Sequence, residues 1–318
     1  MSVPALIIDA ASRVIRGKGA FLEMCVAGLL AGGHILLEDL PGLGKTTVAK
    51  TLARLIGADS DSHLTFKRIQ FTSDLLPYDI TGVDVFDPQE RNFRFVPGPV
   101  FANIVLADEI NRAAAKTQSA LLEVMAEKQV TIGTASYTLP EPFFVLATEN
   151  PIESEGTFPL PAAQLDRFML RLSLGYPVRD VEIDILNDNP AANTLPVLQP
   201  VVSREDFLTA QQEARSVFCH DALKAAIVDI VQATRVHPAL RLGASPRAAL
   251  HFLAVVRAYA FVKGRDYVTD EDICALGPAV LAHRLTLSVV RDGSNGALTP
   301  EAIAAEICRT ITSAVKTL

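Results

Sequence analysis

The 318-residue chain has no block of Lys and Arg, no long apolar run and no paired cysteines. Each absence removes a class of function. Lys and Arg total 29 against 36 Asp and Glu, a formal net charge of −7. An acidic chain without a basic stripe lacks the electrostatic footprint of a nucleic-acid binder. The longest apolar stretch, Val26 to Leu37, spans about a dozen residues, where a membrane helix needs roughly 20, so no membrane insertion is expected. The start shows no basic segment followed by a separate apolar core and a small-residue cleavage site, so no signal peptide is expected. Cys25, Cys219, Cys274 and Cys308 lie far apart without CxxC spacing, which argues against a structural zinc or a disulfide framework. Internal repeats and low-complexity tracts are lacking too. The expectation is a soluble cytoplasmic protein.

What is present is enough for a core. Apolar residues make up 49% and charged residues 20%, and the length suggests two domains. In the first half, short apolar runs alternate with amphipathic segments. His34–Leu37, Phe66–Phe71, Ile104–Ala107, Phe143–Ala147 and Phe168–Leu172 read as strands, and Thr46–Ile56 as a helix with Val48, Leu52 and Leu55 on one face. This pattern predicts an α/β fold, a mostly parallel sheet with helices on both faces. Residues 83–96 alternate around a turn-rich DPQERN, and residues 129–139 alternate around Gly133, so two β-hairpin inserts are expected. The character changes near Gly175-Tyr176-Pro177. The expected division is an α/β core over 1–176 and a small all-helical domain, packed as a lid, over 177–318. Ser203, Asp221, Ser245-Pro246 and Thr299-Pro300 are its expected helix starts.

Leu40-Pro41-Gly42-Leu43-Gly44-Lys45-Thr46 lies between the first strand and the first predicted helix, the setting a phosphate-binding loop requires. Gly42 and Gly44 allow the backbone to turn and approach an anion closely, and the helix start offers its positive end. Lys45 is placed for the β- and γ-phosphates and Thr46 for Mg²⁺. The candidate cradle is Pro41, Gly42, Leu43, Gly44, Lys45, Thr46 and Thr47. Asp39 stands where the pattern GxxxxGK[ST] has its first glycine.

Strand Ile104–Ala107 delivers two acids to its end, Asp108 and Glu109. Asp108 suits a hydrated Mg²⁺, and Glu109 suits a general base that polarises water. Asn150, past strand Phe143–Ala147, can bond the water or the γ-phosphate. Arg167 reads either as a surface partner of Asp166 or as an arginine finger for a neighbouring subunit. Arg247 falls at about the second position of the helix begun by Ser245-Pro246, where a cation faces the positive end of the dipole. An anionic ligand there would offset that penalty, and Arg247 is read as a lid residue reaching the γ-phosphate.

With these residues in place, the chain resembles the MoxR family of AAA+ ATPases over nearly its whole length. The strings carrying the resemblance are AGGHILLEDLPGLGKTTVAK, LADEINRA, ATENPIESEGTFPLPAAQLDRF and GASPRA, and both hairpin inserts match the wider clade of magnesium-chelatase motors and replicative helicases. The resemblance implies ATP and Mg²⁺ as cofactors and a ring of usually six subunits, each site being completed by the next protomer. It implies Arg167 as the finger, with Arg112 as second candidate, Asn150 and Arg247 as first and second sensors, and Ile15 and Gly17 packing on adenine. It also implies a chaperone that activates client proteins with a partner carrying a von Willebrand factor A domain. An AAA+ motor of the helicase or metal-chelatase type is the alternative, and a non-catalytic nucleotide switch is a third reading. Phe93 and Phe95 are expected to pack on a half-buried strand face rather than reach a client at a ring pore. His34 is expected to be a satisfied core residue, Glu123 and Glu127 a solvated face, and helix 247–262 a buried lid core.

Overall fold

The computed structural model describes residues 1–57, 63–150, 156–288 and 299–315. In chain order the strands are β1 (Ile35–Glu38), β2 (Phe66–Gln70), β3 (Gly82–Asp87), β4 (Asn92–Pro97), β5 (Ile104–Asp108), β6 (Gln129–Ile132), β7 (Ala135–Thr138), β8 (Phe144–Glu149), β9 (Leu170–Leu172), β10 (Leu240–Leu242) and β11 (Thr286–Leu287). The helices are α1 (Val3–Ser12), α2 (Gly19–Leu30), α3 (Lys45–Leu55), α4 (Pro77–Thr81), α5 (Ala115–Glu127), α6 (Ala162–Leu165), α7 (Arg179–Asp188), α8 (Pro190–Asn193), α9 (Arg204–Ser216), α10 (Asp221–Val236), α11 (Pro246–Val262), α12 (Asp270–Leu281) and α13 (Pro300–Val315).

One five-stranded sheet in the order β2-β5-β8-β1-β9 holds the first half together, and every pair in it is parallel. Its central strands are buried on both faces, which is why they read as unbroken apolar runs. Alternate residues feed two cores, as the period of two requires. Ile35, Leu37, Ile104, Leu106, Phe144 and Leu146 join α2, α3 and the later helices. Leu36, Val105, Ala107, Val145 and Ala147 face α5 and Phe168. The first of these cores continues through Phe207, Ile230, Phe252, Ile273 and Ile303, so apolar burial runs unbroken from the sheet into the last helices.

Residues 83–96 and 129–139 form the antiparallel hairpins β3–β4 and β6–β7. Phe93 and Phe95 share a face but not an environment. Phe95, near the base, stacks on Tyr137 with ring centroids 4.0 Å apart and meets Phe101 edge-on. Phe93, nearer the tip, is 65% exposed and touches the ring of Phe86. The expected packing thus holds for one ring and fails for the other, because the hairpin stands off the sheet as a two-stranded arm.

The second half departs from expectation in three details. It is not wholly helical, since β10 and β11 form a short antiparallel pair. Helix α10 is capped by His220, whose Nδ1 accepts from the Ala222 N–H, with Asp221 already in the first turn. Leu250 lies on an exposed side of α11, while Phe252, Val255 and Val256 are buried. Ser203 and Ser245 cap α9 and α11 as expected, and the Thr299 hydroxyl accepts from the Ala302 N–H at the start of α13.

His34 is a satisfied core residue. Its Nδ1 accepts from the Val145 N–H at 3.0 Å, so Nε2 carries the proton and donates to the Met125 carbonyl at 3.1 Å. Burial lowers its pKa to about 4. Burial likewise lowers His251 to about 4, and it holds buried His283 well below the usual range. Each group stays neutral in the fold at pH values where the unfolded chain binds a proton. Stability is therefore retained above the ordinary pKa of about 6.5 and lost as pH falls from there toward 4, by ~1.4 kcal/mol per unit per histidine. The urea midpoint should drop between pH 7 and pH 5. His34→Gln should lower it at pH 7, by removing a fitted pair of hydrogen bonds, yet narrow the difference between the two pH values. An unchanged difference would rule out His34 as a source of that slope.

Candidate active site

The parallel register brings the ends of β1, β5 and β8 to one edge of the sheet. The phosphate loop leaves β1 and enters α3. Gly42 and Gly44 take φ of 85° and 89°, the left-handed region open to glycine, and Gly44 is the residue before the first turn of α3. The Lys45 ammonium donates to the carbonyls of Asp39 at 2.7 Å and Leu40 at 3.1 Å. It has three protons, so one remains for an anion in front of the helix start.

Pro41, Gly42, Leu43, Gly44 and Thr47 form one wall of a cleft of about 490 Å³. Val14, Ile15, Arg16 and Lys18 form a second, and Leu174–Pro177 with Ile185 and Leu186 of α7 a third. Gly17, with φ of 67°, lies within that second wall, and a Cβ on it would stand 3.0 Å from Val181 of α7. The walls are apolar away from the loop and rich in amide groups at it, a lining suited to a base at one end and phosphates at the other.

Asp108 is buried at the end of β5. Its Oδ1 accepts from the Thr148 hydroxyl at 2.7 Å, and its Oδ2 accepts from Arg68 Nε at 3.0 Å and Nη2 at 2.6 Å. Glu109 adopts φ of 56°, unusual for a residue with a side chain and typical of functional turns. Its backbone N–H donates to the Thr148 hydroxyl at 2.8 Å. Its carboxylate meets Gln70 Nε2 at 2.8 Å and Arg112 Nε at 3.0 Å. Asn150 is buried just past the end of β8. Among the described residues no cluster of His, Cys, Asp and Glu could by itself hold a metal ion. Asp108 with the Thr46 hydroxyl suits magnesium, which commonly takes one or two protein ligands and fills its octahedron with water and phosphate oxygens.

Arg167 and Arg247 are elsewhere. β9 runs parallel to β1, and at its start the Met169 N–H donates to the His34 carbonyl. Asp166 and Arg167 precede that start, so they lie at the opposite end of the strands from the phosphate loop, roughly 13 Å away along a four-residue strand. Arg247 Nη1 is 3.8 Å from Asp166 Oδ2, at that same end. The anion facing the start of α11 is thus Asp166, which also accepts from the Ser245 hydroxyl and from Arg284 Nε at 2.9 Å. The dipole penalty on Arg247 is offset within the chain, and the structure does not bring Arg247 to its own phosphate loop. Arg167 borders a polar hollow with Glu123, Glu127 and Gln164, and its guanidinium has no hydrogen bond or ion pair among the described residues.

Sequence reasoning missed Arg68, Gln70 and Thr148. The first two had a legible signal: they alternate with buried Ile69 along β2, whose register sets Gln70 opposite Asp108. It also missed Glu149, at the end of β8 beside Glu38 in register. Burial, then the neighbouring charge of Glu38, raises its pKa from the ordinary 4.5 to about 7.

A parallel sheet in this order, with a glycine loop after β1, an inner strand flanked by β8 and β9, and a helical segment after the sheet, defines a P-loop ATPase of the AAA+ class. Residues 34–170 match the family described as "ATPase family associated with various cellular activities (AAA)", and residues 232–307 match the AAA lid domain. The chain is 48% identical to YeaC of Bacillus subtilis, over 88% of this chain and 86% of that protein. It is 42% identical to the chaperone MoxR1 of Mycobacterium tuberculosis, over 94% of this chain and 79% of that one. A solved structure of a candidate ATPase from Cytophaga hutchinsonii superposes with a TM-score of 0.85 at 40% identity, covering 95% of this chain and 92% of the other. The chain belongs to the MoxR family of AAA+ ATPases. No helix among the described residues is long and apolar enough to cross a membrane.

The raised pKa of Glu149 has a stability consequence. In the fold it holds a proton up to about pH 7, while unfolded it loses it near 4.5, so its contribution is present at low pH and is lost as pH rises through 7. Glu149→Gln should raise the melting temperature at pH 8 and leave it nearly unchanged at pH 5. Equal shifts at both pH values, measured by calorimetry, would show that the carboxyl is not a buried, discharged group.

Proposed function

We propose that this chain hydrolyses ATP with Mg²⁺ and uses the cycle to remodel or activate client proteins, as one subunit of a six-membered ring that cooperates with a protein carrying a von Willebrand factor A domain. The observation that carries the catalytic part is that parallel pairing sets the loop holding Lys45, after β1, and the acids Asp108 and Glu109, at the end of β5, on the same edge of the sheet. In this reading the loop amides and Lys45 bind the phosphates, Thr46 and Asp108 hold the metal, and Ile15 and Gly17 pack near the base. When bound there, magnesium would supply positive charge to the phosphate oxygens. Glu109 orients and polarises water, and Asn150 fixes its position. Gln70 and Arg112 touch the same Glu109 carboxylate, so its orientation is set by both. The division into a core over 1–176 and a lid over 177–318 belongs to the same proposal.

A ring gives Arg167 its use. A cation on the edge remote from its own loop, with no partner among the described residues, suits the γ-phosphate of a neighbouring subunit. Arg247 shares that edge through Asp166, and therefore joins it in acting on the neighbour. Arg112 already meets Glu109 of its own chain and is the weaker candidate. Ring closure by head-to-tail contacts, a cytoplasmic setting and the client role rest on the family. The chaperone name of the relative from M. tuberculosis supports the last of these. The net charge of −7 disfavours the alternative of a nucleic-acid motor.

Lys45→Ala should abolish nucleotide binding measured by a fluorescent ATP analogue. Glu109→Gln should keep binding and lower turnover by ~10²-fold or more. Arg167→Ala should bind ATP yet lose ~10³-fold in rate, and mixing it with Lys45→Ala should restore part of the activity. Unaltered turnover in Glu109→Gln would remove the assignment of the base, and no rescue on mixing would count against a shared site.

A further inference from the structure

Asp39 occupies a position where phosphate binding alone would not choose an acid. A carboxylate beside a triphosphate site is repelled by the ligand, and a glycine would end β1 equally well. The side chain has another use. Asp39 is 6% exposed. Its Oδ1 accepts from the Ser173 hydroxyl at 2.7 Å and from the Gly175 N–H at 3.2 Å, and its Oδ2 accepts from the Leu174 N–H at 2.5 Å. Its main-chain carbonyl meanwhile accepts from Lys45. One residue therefore holds the phosphate-binding ammonium on one side and the segment leaving β9 on the other. The preceding residue repeats the tie. Glu38 pairs with Arg171 of β9 at 2.8 Å, and Arg171 also pairs with Glu301 in the first turn of α13.

The segment held by Asp39 forms a wall of the cleft. Leu174, Gly175, Tyr176 and Pro177 line it opposite the loop, and after Val178 the chain enters α7 at Arg179. Gly175 takes φ of 62°, so the chain turns there. Without the carboxylate, three donors lose their acceptor, the buried Leu174 N–H among them, and a buried unpaired donor is costly.

The geometry points to Asp39 as a positioning residue that couples nucleotide occupancy of the phosphate loop to the 173–177 wall and, through it, to α7. The coupling rests on the phosphate-loop reading above. It extends that reading by giving the loop a mechanical output that does not pass through Glu109 or the edge arginines.

The chain contains no tryptophan, so Tyr176→Trp, at an exposed place on that wall, supplies a single fluorescent reporter. In this variant ATP–Mg should change the emission. Adding Asp39→Gly should weaken ATP binding about tenfold, the scale of a lost hydrogen bond to a buried charge, while kcat at saturating ATP changes far less than KM. The emission change at saturating ATP should vanish. Asp39→Asn keeps one acceptor oxygen and should fall between. The same affinity and the same emission change in Asp39→Gly as in the parent would overturn the coupling. If Asp39→Gly lacks a cooperative melt, Ser173→Ala and Asp39→Asn serve in its place. Affinity should then fall in that order, and equal values would overturn the proposal. A parent reporter that binds no nucleotide would overturn the phosphate-loop reading itself, a failure visible before Asp39 is altered.

Discussion

Parallel pairing of β1, β5 and β8 is the constraint on which the site depends. Strands that run the same way end on the same edge, so residues far apart in sequence finish side by side: the loop after Glu38, the acids Asp108 and Glu109, Thr148 and Asn150. An antiparallel partner would send one of these groups to the far edge. The pairing needs burial on both faces, and the period of two distributes each strand's side chains between two apolar cores. Site geometry and core packing are thus two results of one arrangement.

The edge is crowded with negative charge, and most of it is answered locally. Arg68 faces Asp108, Arg112 and Gln70 face Glu109, and Arg171 faces Glu38. Asp39 is met by two backbone N–H groups and a hydroxyl. Glu149 has no such answer strong enough, and its burial is reflected in retention of its proton up to about pH 7. Arginine use at the opposite edge differs. Arg284 is nearly buried, and although burial lowers its pKa to about 10, it bonds Asp166 and the Phe168 carbonyl and remains a cation at neutral pH. Arg167, one residue from Asp166, is left outward.

The phosphate loop, the acid pair and the five sheet strands were legible in the sequence because each carries a local signature: glycines before GKT, acids after an apolar run, short runs between amphipathic stretches. Strand ends moved by a residue or two, since hydrogen-bond register rather than hydropathy decides where a ladder stops. Arg68 and Thr148 were invisible for a different reason. Their roles come from strands adjacent in the sheet but some 40 positions apart along the chain. The partnership of Asp166 with Arg247 was hidden in the same way, and so the helix start that seemed to ask for a ligand had its anion supplied by the fold. Leu250 and Phe93 show the limit of apolarity as a guide: both are apolar and both face outward.

The continuity of the first apolar core has a consequence for dissecting the molecule. Leu22, Val26 and Leu30 of α2 are buried in the same cluster as Phe252 and Val256 of α11. The carboxylate of Asp166 and the carbonyl of Phe168 take their donors from Arg284. A fragment cut after residue 176 would open an oily face along α2 and strand a desolvated acid beside Arg167. The sheet half is consequently not a minimal working piece, and removing the trailing helices damages the edge that carries Asp166 and Arg167.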